Sequence, residues 1–319
     1  MSRKIGSQNR FCPVPTTKFT FQFVFSGTTG AYTNLLVFKN KLYAFGLQNS
    51  AVATSDDGIN FAESAIGPDN IFLCRGWASS TTMMLAGAYA ASSPNRAELK
   101  KTTDGVNWTD ALFLSSAVST SMNSVIANGT TWVAVGNSGI IYYSSDDGVT
   151  FNSVASGTTG HLQDVAYGNG MWIAAGHDPS TLDGIVLKST NGTTWTTVTG
   201  HGLTFIKSVY FANGVFVFNN KKTTTDGVTF TSITFGPTGG YGGFVGFFAN
   251  NTWLTTTTNP GRISYLNVTE QPTDRASWTL NMAQGYRATD VYNSRPFATF
   301  QNKLFYGSTI CALYSAPIV

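Results

Sequence analysis

A short turn pattern recurs along the chain, and it limits the possible folds more than any other feature. It reads Thr54-Ser-Asp-Asp-Gly-Ile-Asn-Phe61, Lys101-Thr-Thr-Asp-Gly-Val-Asn-Trp108 and Ser144-Ser-Asp-Asp-Gly-Val-Thr-Phe151. Lys188-Ser-Thr-Asn-Gly-Thr-Thr-Trp195 and Thr223-Thr-Thr-Asp-Gly-Val-Thr-Phe230 repeat it, and a degenerate copy ends at Trp278. The closing aromatics are 47, 43, 44, 35 and 48 residues apart. Asp-Gly or Asn-Gly between a Thr-rich and an aromatic segment is a hairpin signal, because these residues tolerate positive φ. A second hairpin pattern falls between the copies, as in Phe38-Lys-Asn-Lys-Leu-Tyr43, Tyr167-Gly-Asn-Gly-Met-Trp172 and Phe211-Ala-Asn-Gly-Val-Phe216. Its turns lie near residues 40, 80, 128, 169, 213, 250 and 302.

Two hairpins per unit make four antiparallel strands, and a repeated four-stranded unit of this length is the signature of a β-propeller. The sequence therefore predicts an all-β, seven-bladed propeller over residues 18–319, preceded by a basic, extended arm over residues 1–17. Two β-sandwiches of about 160 residues are the structural alternative, and seven in-phase copies argue against them. The seventh unit ends at the C-terminus one strand short. Lys18-Phe-Thr-Phe-Gln-Phe-Val-Phe25 supplies the missing strand, so the N-terminal strand is expected to complete the last blade and leave no open edge.

Composition agrees. Only 11% of residues are charged, while 42% are hydrophobic and 13% aromatic, which favours strands with a core over helices or disorder. The net charge of +3 comes from Arg3, Lys4 and Arg10; the remaining chain carries as many acidic as basic side chains. The clustered basic footprint of a nucleic-acid binder is missing, and Lys100-Lys101 and Lys221-Lys222 read as solvated loop charges. No apolar run approaches the roughly 20 residues that span a bilayer, so membrane insertion is not expected. The first residues show no signal-peptide pattern. Cys12, Cys74 and Cys311 have no metal-ligand spacing and read as free thiols in a reducing cytoplasm, with a Cys74–Cys311 or Cys12–Cys311 bridge as the alternative.

The turn motif resembles the Asp-box, or BNR repeat, with the pattern Ser/Thr-x-Asp-x-Gly-x-Thr/Asn-Trp/Phe. The copies at 54–61 and 144–151 match every defined position, whereas Thr103, Thr190 and Thr225 stand where the motif has Asp and the acid or amide follows one place later. The resemblance implies a propeller with the box between the third and fourth strands of a blade, on the rim away from the usual ligand surface. It implies structural roles for Asp56, Gly58, Asp104, Gly105, Asp146, Gly148, Asn191, Gly192, Asp226 and Gly227. Similar boxes occur in sialidases, xyloglucan hydrolases, sortilin-like receptors, a photosystem II assembly factor and phage virion proteins, so function must come from the site.

An enzyme is not expected. A glycosidase needs two carboxylates across the scissile bond. The arginine triad, Tyr–Glu pair and Arg-Ile-Pro signature of sialidases find no counterparts, and residues 31–64 contain no arginine. Glu63, Glu98 and Glu270 fall on rim, hairpin or loop positions. Asp164 and Asp290 occupy matching places before first strands and read as polar strand caps, with a two-Asp site as the alternative. His161, His177 and His201 form no metal motif, and His177 reads as an exposed loop residue. No cofactor or metal is expected.

The leading expectation is a non-enzymatic virion structural or adhesin protein, such as a bacteriophage tail, fibre or capsid-surface component that folds in the host cytoplasm. Arg3, Lys4, Arg10 and Phe11 are candidates for docking the arm to another virion protein. Tyr32, His161, His201, Tyr241, Tyr286 and Arg287 are candidates for a loop surface that contacts a host glycan or protein. A cytoplasmic or organellar scaffold propeller is the runner-up, followed by a glycoside hydrolase.

Overall fold

The structure is a computed structural model and describes residues 22–26, 32–46, 51–65, 71–90, 96–113, 121–219, 222–233, 246–249, 252–258, 264–269, 279–284, 297–307 and 312–317. Among these residues, seven four-stranded antiparallel sheets form the blades of a propeller. Strands a to d are named within each blade in order of their position, a being innermost.

Blade 1 comprises Tyr32–Phe38, Lys41–Gly46, Ala51–Ser55 and Ala62–Ala65; blade 2 comprises Ile71–Ser79, Met84–Ala90, Arg96–Thr102 and Thr109–Phe113. Blade 3 is built from Met122–Asn128, Thr131–Gly136, Ile141–Ser144 and Asn152–Val154, and blade 4 from His161–Gly168, Met171–His177, Gly184–Ser189 and Thr196–Thr197. Blade 5 contains Val209–Ala212, Val215–Phe218, Lys222–Thr224 and Thr231–Ser232; blade 6 contains Gly246–Ala249, Thr252–Thr258, Ser264–Thr269 and Thr279–Gln284. Blade 7 has Phe297–Phe300, Lys303–Gly307 and Ala312–Pro317 from the C-terminal end, and its outer strand is Gln22–Ser26. Gln22 opposes Ser315 and Ser26 opposes Ala312 in antiparallel register, so the two ends of the chain complete one sheet.

Packing between neighbouring blades follows from the alternation of strand side chains. Strand b carries Leu42–Phe45, Met84–Ala86, Trp132–Val135, Trp172–Ala175 and Phe216–Phe218, all buried. One parity packs on the preceding blade and the other on the following blade: Trp132 and Ala134 join the cluster of Leu85 and Leu99 in blade 2, while Val133 and Val135 join Leu162 and Trp172 of blade 4. Strand a has a bulge in several blades, with register shifts between Tyr32 and Asn34, Met122 and Ser124, and Leu162 and Asp164. The bulge turns polar residues toward the neighbouring inner strands.

Because the strands are antiparallel, the a–b hairpins and the c–d turns emerge on one side of the ring, and the b–c and d–a connections emerge on the other. The c–d turns are the repeated boxes, and their anchor is the last inward-facing residue of strand c. Ser55, Thr102, Ser144, Ser189 and Thr224 are all buried there. Each hydroxyl accepts the N–H of the box glycine, at 2.8–2.9 Å in every case, and donates to the acid or amide two residues on.

The structure corrects the first box. Asp57, not Asp56, accepts the N–H groups of Ile59 and Asn60, at 2.8 and 2.7 Å. Asp56 is exposed and pairs with Lys41 at 3.2 Å. Asp104, Asn191 and Asp226 serve as Asp57 does. Among the five described boxes, box 3 alone is one residue longer. There Asp146 binds Thr150, while Asp147 adopts a left-handed φ of 58° and accepts Trp132 Nε1–H at 2.9 Å. Asp147 also accepts the hydroxyls of Ser80 and Thr82 from blade 2.

Lys100, Lys101 and Lys222 are corrected as well, while Lys221 lies outside the described residues. Lys100 and Lys101 lie in strand c of blade 2, where Lys100 bridges the buried Glu98 and the exposed Asp110 and Lys101 reaches the Val149 carbonyl. Lys222 opens strand c of blade 5 and donates to the His201 carbonyl at 2.6 Å.

Candidate functional site

The b–c connections of blades 3 and 4 and the d–a connections that lead into blades 4 and 5 emerge on the same side of the ring. The b–c connection of blade 3 is a short turn over Asn137–Gly139, and the Ser138 N–H donates to His161 Nδ1 at 3.2 Å. His161 starts strand a of blade 4 and is half-buried; its ring lies edge-on to His177, 6.3 Å between centroids. Burial and the adjacent His177 push the His161 pKa below its ordinary value.

His177 is not the exposed loop residue that the sequence suggested. It ends strand b, is 8% exposed, and its Nδ1 lies 3.2 Å from the Ile206 carbonyl oxygen. A carbonyl only accepts, so this contact requires the Nδ1–H form. The His177 ring meets Phe205 edge-on at 4.6 Å, and Lys207 Nζ sits 4.4 Å from the Phe205 centroid.

Phe205 and Leu182 form a ridge on this surface. Phe205 N–H donates to the Leu182 carbonyl at 2.8 Å, and an isolated bridge joins Asp183 to Thr204. Leu182 N–H in turn donates to the Asp178 carbonyl at 2.9 Å. The Asp178 carboxylate is occupied with the N–H groups of Ser180 and Thr181. Asn219 Nδ2 donates to the Phe205 carbonyl, and its Oδ1 accepts the N–H groups of Lys207 and Ser208. Leu182 is 46% exposed and Phe205 37% exposed, with φ values of 63° and 47°. Leu203 and Ile206, on either side of Phe205, are buried.

His201, in the same connection, is buried: its Nδ1 accepts the Leu203 N–H at 3.1 Å and its ring lies 5.9 Å from Phe230. The structure thus groups His161 with His177 and sets His201 apart, against the blade 5 core. Tyr32 begins strand a of blade 1 opposite Gly46. Tyr241, Tyr286, Arg287, Asp290, Glu270, Cys12 and Cys311 lie outside the described residues, as do Arg3, Lys4, Arg10 and Phe11 with the rest of the 1–17 arm. Sequence reading missed Leu182, Phe205 and Lys207. Leu182 and Phe205 carry no motif, and only their backbone conformation sets them apart.

Asp164 is a tie between blades. It is 5% exposed, and its Oδ1 accepts the Ser124 hydroxyl of blade 3 at 2.6 Å and its neighbour Val165 N–H at 2.9 Å. Its Oδ2 accepts the Val209 N–H of blade 5 at 3.1 Å. One carboxylate therefore joins the inner strands of three consecutive blades. Among the described residues, no group of three or more His, Cys, Asp or Glu is placed to hold a metal, and no helix is long and apolar enough to cross a membrane. A groove of about 560 Å³ on the outer side of blade 4 is lined by Thr194, Thr196, Thr197, Lys188 and Val228 among others, hydroxyl-rich and without a carboxylate.

No protein-family model matches this sequence, and no curated protein matches it either. Solved structures do. YCF48 from Cyanidioschyzon merolae is similar at a TM-score of 0.64 and 16% identity, over 93% of this chain and 98% of that one. The structure titled YCF48 bound to D1 peptide gives 0.60 and 12%, over 95% and 96%. The WD40 β-propeller domain of Doa1 gives 0.63 and 9%, over 93% and 97%. At these identities the likeness is one of fold, and the fold is the propeller.

Proposed function

We propose that the chain is a non-enzymatic virion component, a propeller that docks onto another virion protein and turns its loop surface toward a host glycan or protein. The carrying observation is the division of labour around blade 4. Asp164 is committed to holding three blades together, while Leu182 and Phe205 are given to solvent. An apolar pair open to solvent supports a recognition role, and the commitment of Asp164 to backbone and hydroxyl donors supports the non-enzymatic reading. The low charge content and the box repeats support the virion setting, and the basic 1–17 segment supplies the attachment to the particle through Arg3, Lys4, Arg10 and Phe11.

A scaffold or assembly role is the second reading. It is favoured by the likeness to YCF48, a propeller whose structure is recorded with a D1 peptide. Both readings use the same surface and share a protein partner. Mass spectrometry of purified particles from the source separates them. Fixed copy number relative to capsid or tail proteins, lost when residues 1–12 are removed, is the expected result. Absence from particles sinks the virion reading. Turnover of sialosides or β-glucans that disappears in Asp164→Asn, with folding intact, sinks the non-enzymatic one.

A further inference from the structure

The chain has four Asn-Gly steps, at Asn128, Asn169, Asn191 and Asn213, and all four lie at hairpin turns on the box side of the ring. An Asn-Gly step carries a chemistry of its own. Once its proton passes to a solvent base, the Gly nitrogen attacks Cγ of the Asn side chain. A C–N bond forms, the Cγ–Nδ2 bond breaks, and ammonia leaves. Water then opens the resulting five-membered succinimide at one of its two carbonyls, which gives aspartate or isoaspartate. Glycine favours the step because no Cβ crowds the attacking nitrogen.

The reaction needs an amide side chain free to turn onto the backbone and a Gly N–H open to solvent. The four sites divide on these two requirements. In box 4 the Gly192 N–H donates to Ser189 Oγ at 2.8 Å, and Asn191 Oδ1 accepts the N–H groups of Thr193 and Thr194 at 3.0 and 2.8 Å. The attacking nitrogen and the attacked amide are both held. Asn169 is held by its leaving group: Nδ2 donates to the carbonyls of Gly214 and Thr225 in blade 5, each at 2.9 Å. Asn128 and Asn213 are exposed. Among the described residues, neither of their side-chain amides has a hydrogen-bond partner, and neither has the N–H of Gly129 or Gly214. Apart from chain neighbours, no heavy atom lies within 4 Å of the place a Cβ would take at Gly129 or Gly214. Gly170 is equally open, so the tie on the amide is what sets Asn169 apart.

We propose that Asn128 and Asn213 are sites of spontaneous conversion to aspartate and isoaspartate, and that their ties keep Asn169 and Asn191 as amides. Each product places a carboxylate on the box side, and isoaspartate adds a carbon to the main chain. At Asn213 that carbon enters a two-residue turn, since Ala212 opposes Val215. The same turn contains Gly214, whose carbonyl receives Asn169, so conversion there loosens a contact between blades 4 and 5. The inference does not depend on what the propeller binds.

The test is a time course of the purified full-length chain in mildly alkaline buffer, native and in urea, with peptides mapped by mass spectrometry. In the native protein, conversion at Asn128 and Asn213 is expected to outpace that at Asn169 and Asn191 by about tenfold or more, the rate factor that one or two hydrogen bonds supply. The rates are expected to rise with pH, because the Gly nitrogen must lose its proton. In urea the four sites are expected to converge, since unfolding removes the ties. Asn213→Gln is expected to abolish conversion at its own site and leave Asn128 unchanged, because the longer side chain has to close a six-membered ring. Native rates at Asn169 or Asn191 that match those at Asn128 and Asn213 overturn the proposal. So does a native ranking that persists in urea, which would assign the difference to local sequence. Conversion of Asn128 and Asn213 in urea but not in the native protein would show that the hairpins themselves protect them, and overturns it too.

Discussion

The two sides of the ring solve the same turn problem with different residues. On the box side, positive φ falls on glycine, Asn, Asp or other polar residues: Gly58, Gly105, Gly148, Gly192 and Gly227 all have it, and the a–b hairpins turn at residues such as Asn40, Asn169 and Asn213. Boxes 2 to 5 are also seated on the blade before them. Gly105 faces the Tyr43 ring, Gly148 faces Leu85, Gly192 faces Tyr143 and Gly227 faces Ile173. Polar arms add to this: Lys39 reaches the Thr103 carbonyl, Lys188 the Asp226 carbonyl, and Asn169 the carbonyls of Gly214 and Thr225. On the loop side, among the described residues, positive φ falls on Ser138, Asn219, Gly139, Gly157, Gly200 and Gly202, and also on the bulky Leu182 and Phe205. The repeated side staples blades and keeps positive φ on glycine and polar residues; the irregular side also places it on two bulky apolar residues, while exposed carbon occurs on both, at Ile59, Val106, Val149 and Val228 among the boxes and at Leu182 and Phe205 on the loop side.

The largest expected effect is at the tie beneath the loop side. Asp164→Ala leaves the Ser124 hydroxyl and the Val165 and Val209 amides without their acceptor. Buried donors left unpaired cost about 1–3 kcal/mol each, so a loss of about 3 kcal/mol or more is expected by urea unfolding. A loss under about 1 kcal/mol would mean that the inner strands do not depend on this carboxylate.

Gly105→Ala should come next. Its φ is 78° and an added Cβ would overlap the Tyr43 ring, whereas Gly129 has a φ of 62° with open space around it. Strain alone is about 1–2 kcal/mol, which is the expected cost for Gly129→Ala; Gly105→Ala should exceed it. Equal losses from thermal melts would show that the boxes turn without stapling.

A smaller effect separates the two acids of box 1. Asp57→Ala should lower the melting temperature, and Asp56→Ala should leave it nearly unchanged, since Asp56 offers only an exposed ion pair. The reverse order would restore the register read from the sequence. Hydrogen bonds from Asn60 and Ile59 hold the Asp57 carboxyl well below its usual pKa, and those from Thr150 bring Asp146 down from 3.8 to about 2. A depressed carboxylate contributes stability above its ordinary pKa and loses it as the proton is forced on. The box side should therefore weaken between about pH 4 and pH 2, read as acid unfolding.

The smallest effect is on the loop side. The folded chain disfavours charged His161, so it binds fewer protons there than the unfolded chain. That contribution is complete above about pH 6.5 and fades as pH falls below it. Histidine NMR titration should show His161 titrating below the ordinary value, with the resonances of Ser138 moving in step. A His161 that titrates above it would remove this distinction between the two sides.

The box register shows where reading the sequence stops. Thr54-Ser55-Asp56-Asp57-Gly58 matches the motif one residue early, as Ser144-Ser145-Asp146-Asp147-Gly148 does at its true place. Only the sheet decides between them. Leu42 opposes Ser55, so Ser55 is the inward-facing end of strand c and Asp57 follows two residues later. In blade 3 Trp132 opposes Ser144, which leaves one more residue in the turn and frees Asp147 for Trp132 and blade 2. His177 was misplaced for a related reason: strand b of blade 4 runs on to pair His177 with Gly184 before the connection begins.

What the sequence determined by itself is local and periodic: two hairpins per unit, seven units, the glycines that the turns require and an N-terminal strand that supplies the last blade. Such features follow from the φ preferences of Gly, Asn and Asp and from alternating burial, and both act within a few residues. What only the tertiary structure decided is which acid faces the turn, which histidines meet, and that Asp164 binds three blades. These depend on the register and contact of segments some 40 residues apart, as Ser124 and Val209 are from Asp164. The strain at Leu182 and Phe205 belongs to the same class, because a left-handed bulky residue is held in place by neighbours and never requested by its own chemistry.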